Sequence, residues 1–127
     1  MKHPIFSLLI IVMVSACSSP KNISKNSFSP EEIKMIMNAD SLKPMRVYKI
    51  TNYADSLLLR TKSAYVKPNA NNPVLQNFVK RLYATVTDSA SLGVGIAAPQ
   101  VGILKNIIWV QRFDKENFPF EVYLNPV

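Results

Sequence analysis

Leu75, Phe78, Val79, Leu82 and Val86 recur at steps of three and four, while Gln76, Lys80 and Arg81 fall off that line. This spacing predicts an amphipathic helix over residues 73–87 with one buried face. Asn72 and Pro73 suit its cap and first position, and residues 88–92 break it. A second helix start lies upstream at Ser29-Pro30-Glu31-Glu32, where Ser29 can cap, Pro30 can open the helix and Glu32 can complete a capping box. That helix is expected to run to about Asn38. The period then changes. Residues 45–51 are rich in β-branched and aromatic side chains and read as a strand with imperfect alternation. Residues 106–111 read as a strand apolar on both sides, 115–119 as a turn, and 120–124 as the strand returning antiparallel. Residues 67–72 are loop by composition, and 55–60 fit helix and strand equally.

The N-terminus follows a different pattern. Lys2 and His3 precede an apolar run over residues 5–14, too short to span a bilayer comfortably and flanked as a secretory signal is. The run stops at Val14-Ser15-Ala16-Cys17, which resembles the lipobox of bacterial lipoproteins. The resemblance implies that residues 1–16 are removed and that Cys17 is lipidated. The protein would then be held on a membrane of the bacterial cell envelope, with residues 17–28 as a polar tether. A plain secretory signal and an uncleaved anchor are the competing readings. As the single cysteine, Cys17 has no disulfide partner in its own chain.

The 127 residues allow one small domain, here expected over 29–127. Fifteen Lys and Arg against eight Asp and Glu give a formal charge of +7. Only Lys80 and Arg81 are adjacent, however, and no basic stripe interleaves with aromatics. The charge therefore reads as a solvated surface, and a nucleic-acid partner is not expected.

Residues 93–102, Gly-Val-Gly-Ile-Ala-Ala-Pro-Gln-Val-Gly, hold all three glycines of the chain. They make a main-chain surface against which something can lie. A dinucleotide-binding turn would need a strand before and a helix after it. Here a helix precedes, a strand follows and Pro99 intervenes. Tight turning and close packing remain a purely structural reading of the same residues.

The stretch also resembles, nearly letter for letter, the first motif of peptide deformylases, Gly-x-Gly-hydrophobic-Ala-Ala-Pro-Gln, with Ile96 in place of the commoner leucine. The likeness extends from about Asp55 to Val127, through Leu82-Tyr83-Ala84-Thr85, Val101-Gly102-Ile103, the strand at 106–111 and Leu124-Asn125-Pro126. It implies an α+β fold in which N-terminal helices and antiparallel strands surround the motif. It also implies hydrolytic removal of the N-formyl group from formylmethionyl peptides. By family pattern Gln100 donates its amide to the formyl oxygen as an oxyanion forms, Gly93 and Gly95 present main chain to the peptide, and Val94 and Ile96 wall the site.

Complete family members hold a divalent metal, iron or zinc, on the cysteine of a Glu-Gly-Cys-Leu-Ser motif and both histidines of His-Glu-x-x-His. Neither motif occurs here, and His3 and Cys17 sit in or beside the export signal. The chain is accordingly expected to be an incomplete deformylase that binds no metal and is inactive alone. A peptide-binding envelope lipoprotein without catalysis is the alternative.

Overall fold

The computed structural model describes residues 27–127, so the signal segment, His3 and Cys17 lie outside the described residues. Helix α1, Pro30–Met37, opens with the expected capping box: Glu32 N–H donates to Ser29 Oγ at 3.2 Å and Ser29 N–H to Glu32 Oε2 at 2.8 Å. Residues 55–60 resolve into α2, Tyr53–Leu59, because Asn52 Oδ1 accepts from Asp55 N–H and caps it. The long helix α3, Pro73–Val86, is capped by Asn72. Its apolar line forms the centre of the core, with Phe78 and Leu82 fully buried against Ile36, Val66, Ile103 and Ile107.

Three antiparallel strands follow: β1, Gly95–Ala97; β2, Ile107–Gln111; and β3, Phe120–Leu124, in the order β1-β2-β3. Ile96 pairs with Trp109 and Trp109 with Val122, so these side chains share the sheet face that packs on α3. Trp109 Nε1 donates to Val79 O at 2.9 Å, and the Tyr83 ring lies between Trp109 and Phe120. Gly95, Ala97, Ile108 and Val110 alternate onto the opposite face. Among the described residues the architecture is α+β, with three helices and one antiparallel sheet.

Three expectations are corrected. Residues 45–49 join no sheet, and 50–51 form a turn leading into α2. Their donors are taken by Thr85 Oγ1 (from Met45 N–H, 2.8 Å), Gln100 O (from Tyr48 N–H, 2.7 Å) and Asp55 Oδ2 (from Lys49 N–H, 3.0 Å). Arg81, expected off the buried face, is only 4% exposed. Its guanidinium reaches the C-terminus of α1 and donates to Met35 O, Ile36 O, Lys43 O and Asn38 Oδ1. The four bare carbonyls of a helix end and their negative dipole attract such a planar cation. Burial pulls the Arg81 guanidinium below its usual pKa, against the pull of Asp40. Phe28, the last residue read as tether, is buried and stands edge-on to Phe78 at 6.0 Å.

Candidate functional site

The glycine stretch folds as a short edge strand running into a 3-10 turn, Ala98–Val101. Gly93 sits where α3 has ended, its N–H donating to Val86 O at 3.1 Å, and a Cβ there would meet Val86 Cγ2 at 3.1 Å. The residue is glycine because the chain turns back against the helix it has just left. Gly95 is crowded from β2, since a Cβ would lie 3.2 Å from Trp109 O. Gly102 ends the turn in the left-handed region at φ +82°, where only glycine is unstrained.

Only one side of β1 is paired. Gln111 N–H donates to Val94 O at 2.8 Å, which makes 94 and 111 a hydrogen-bonded pair. In an antiparallel ladder such pairs alternate, so 96 and 109 form the next one, and the N–H and C=O of Gly95 and Ala97 point to the open edge. Ala97 N–H is found there, donating to Gln100 Oε1 at 2.8 Å. This contact fixes the amide's orientation, because an N–H donor must face the oxygen. Gln100 Nε2 is thereby turned outward. It has no hydrogen-bond partner among the described residues, and Gln100 is exposed.

The arrangement is a donor held at a fixed angle beside a strip of unpaired main chain. It can accept an extended peptide and place an N–H against a carbonyl oxygen. A cleft of about 210 Å³ opens beside it, with Ala97, Pro99, Asn106, Ile108 and Pro126 in its lining. A larger apolar groove of about 520 Å³ lies between α3 and β3, along Leu75, Val79, Val122 and Leu124, and includes no residue of the glycine stretch.

Of the expected site residues, Gly95 and Gln100 are exposed at the open edge of β1, whereas Val94, 57% exposed, turns its carbonyl to Gln111 and Gly93 spends its N–H on Val86 O. The Ile96 side chain instead packs into the core at 7% exposure. Further along the Gly95 face, Arg112 binds Asp114, Glu121 and Tyr123, while Lys115 binds Glu121. The Arg112 contacts hold the Asp114 carboxyl down to about 2, and Lys115 first and Tyr123 second hold Glu121 below its usual range. Among the described residues no group of three or more His, Cys, Asp or Glu converges to hold a metal ion. The donor set of the described residues therefore does not fit a catalytic metal. Tyr48, whose N–H donates to Gln100 O, and Asp55, which binds Arg46 Nη2 and Lys49 N–H, carried no signal in the sequence because these contacts form only when residues 46–49 fold between α2 and the turn.

The family model for polypeptide deformylase matches residues 47–127. Two ligand-bound crystal structures of class I type b peptide deformylase from Acinetobacter baumannii are similar at TM-score 0.52 and 32% identity, each over 65% of this chain and 51% or 52% of the other. A peptide deformylase from Synechococcus elongatus, in complex with actinonin, gives TM-score 0.49 and 24% identity, over 68% of this chain and 46% of that one. The chain spans about half the length of the solved structures it matches.

Proposed function

The chain belongs to the polypeptide deformylase family of hydrolases, and from that premise we propose that residues 93–100 are the half of a formyl-peptide pocket that holds substrate and polarises its carbonyl. The observation that carries this reading is the amide of Gln100, pinned through Oε1 to Ala97 N–H with Nε2 left to donate. A formylmethionyl peptide would run along β1 and use the free N–H and C=O of Gly95. Its formyl oxygen would then meet Gln100 Nε2. Amide hydrolysis puts negative charge on that oxygen, and a pre-aimed donor stabilises the charged state more than the ground state. In a complete enzyme, losing one such donor costs on the order of 10²–10³ in rate.

Among the described residues no cluster of donors fits the family's divalent metal, so on this proposal their contribution is binding and polarisation, and the chain alone is expected not to turn over. Formate release from formyl-Met-Ala-Ser, with and without added iron, nickel or zinc, tests this. No release above buffer is expected, whereas robust turnover abolished by a chelator would refute it. A non-catalytic peptide-binding role is the second reading, favoured by the open main-chain edge of β1. Attachment to the bacterial envelope through lipidated Cys17 belongs to the same proposal and rests on the sequence of residues 5–17.

A further inference from the structure

A 3-10 turn of four residues has poor hydrogen-bond geometry of its own, so the aim of a side chain mounted on it depends on what packs behind. Behind the Gln100 turn lies the segment 45–50, which belongs to no sheet. Tyr48 N–H donates to Gln100 O at 2.7 Å. The Tyr48 ring lies close against Gly102, where a Cβ would come within 2.9 Å of its Cε2. Tyr48 is in turn held from both sides by one carboxylate. Asp55, 6% exposed, accepts two bonds from Arg46 Nη2 at 2.9 and 3.0 Å and one from Lys49 N–H at 3.0 Å. The Arg46 guanidinium then stacks 4.3 Å from the centre of the Tyr48 ring. Residues 46 and 49 are thus fixed on either side of 48, and the main-chain donor of Tyr48 is aimed at the turn.

We propose that Asp55 and Tyr48 are positioning residues for Gln100. The carboxylate pins the 45–50 strap, the strap clamps the 3-10 turn, and the clamped turn holds the Gln100 amide against Ala97 N–H with its donor facing the β1 edge. The inference rests on Gln100 being the carbonyl donor for its functional meaning, although its test does not use a peptide.

The Ala97 amide reports the arrangement directly, because Gln100 Oε1 is its partner. Hydrogen exchange is followed by NMR on the ¹⁵N-labelled 127-residue chain and on Asp55→Ala, Tyr48→Ala, Tyr48→Phe and Arg46→Ala variants. In Asp55→Ala and Tyr48→Ala, Ala97 N–H is expected to exchange about tenfold faster or more, while Ile96 and Trp109 N–H stay within about twofold of the parent. Tyr48→Phe keeps the ring and restores the parent rate. Should Asp55→Ala not fold, Arg46→Ala decides, since the Arg46 side chain is 64% exposed, with a selective rise of about threefold at Ala97 expected. Unchanged exchange at Ala97, or equal acceleration at Ile96, Trp109 and Ala97, overturns the proposal. If instead the pocket reading is what fails, formyl peptide leaves the parent chain's spectrum unchanged while the selective exchange effects persist.

Discussion

Replacing Arg81 by Met keeps most of the buried stem and removes the four bonds the guanidinium donates, three to the end of α1 and one to Lys43 O beyond it, at 2.9–3.0 Å. The losses are unequal. Ile36 O retains a bond from Asn77 Nδ2 at 2.9 Å, and Asn38 is exposed enough to turn to water. Met35 O and Lys43 O lose the partner that the side chain supplied, and a carbonyl left without one costs about 1–3 kcal/mol. A cation at a helix C-terminus adds about 0.3–1 kcal/mol, while relief of guanidinium desolvation acts in the opposite direction. The net expectation is a loss of about 2–4 kcal/mol, a large share of the about 5–15 kcal/mol that a small domain has. At about 4–8 °C per kcal/mol, the midpoint falls by about 8–32 °C. Urea and thermal unfolding of Arg81→Met, Asn77→Ala and the double variant measure it. Because Ile36 O accepts from both side chains, it is orphaned only in the double variant, whose loss should exceed the sum of the singles by about 1 kcal/mol. A cost for Arg81→Met below about 0.5 kcal/mol, with no coupling to Asn77, would refute the assignment of Arg81 as the cap of α1.

Two more predictions concern the site and the adjoining hairpin. Gly102→Ala must adopt φ +82° and place its Cβ 2.9 Å from the Tyr48 ring. A loss of about 2–3 kcal/mol in urea unfolding is expected, and a neutral result would contradict the close seating of that ring. The Asp114 carboxyl, held at about 2 by hydrogen bonds from Arg112, lies below the ordinary aspartate value of about 3.9. The pair's contribution is therefore complete above about pH 4 and is lost as pH falls through 2. Carboxyl ¹³C titration should find the depressed midpoint in the parent and its return towards the ordinary value in Arg112→Ala. A parent midpoint already near 3.9 counts against the pair.

Much of the fold was legible because local signals and burial agreed. The capping box at Ser29, the Asn72-Pro73 start and the spacing of Leu75, Phe78, Leu82 and Val86 each placed a helix, and the turn at 115–119 placed β2 against β3. What was not legible depends on which groups meet across the fold. Arg81 reads as surface by composition and is buried only because the end of α1 lands on it. Residues 45–51 have strand propensity, but their donors go to a threonine hydroxyl, a turn carbonyl and a carboxylate rather than to a ladder. Phe28 follows a polar run and still finds Phe78. At the site, the glycine spacing and Gln100 carried the motif, whereas the outward turn of Nε2 needed the Ala97 contact, and the burial of Ile96 needed the strand's register.

On the proposed reading, Gln100 donates to a formyl carbonyl laid along β1. The most direct measurement is a binding cycle in which formyl-Met-Ala-Ser and Met-Ala-Ser are titrated into the parent chain and into Gln100→Ala, read by NMR shifts at residues 93–100. The parent is expected to prefer the formylated peptide, and Gln100→Ala to lose about tenfold of that preference, the equivalent of one hydrogen bond of about 1.4 kcal/mol. An equal preference in both proteins, or a peptide response confined to residues outside 93–100, would contradict the claim.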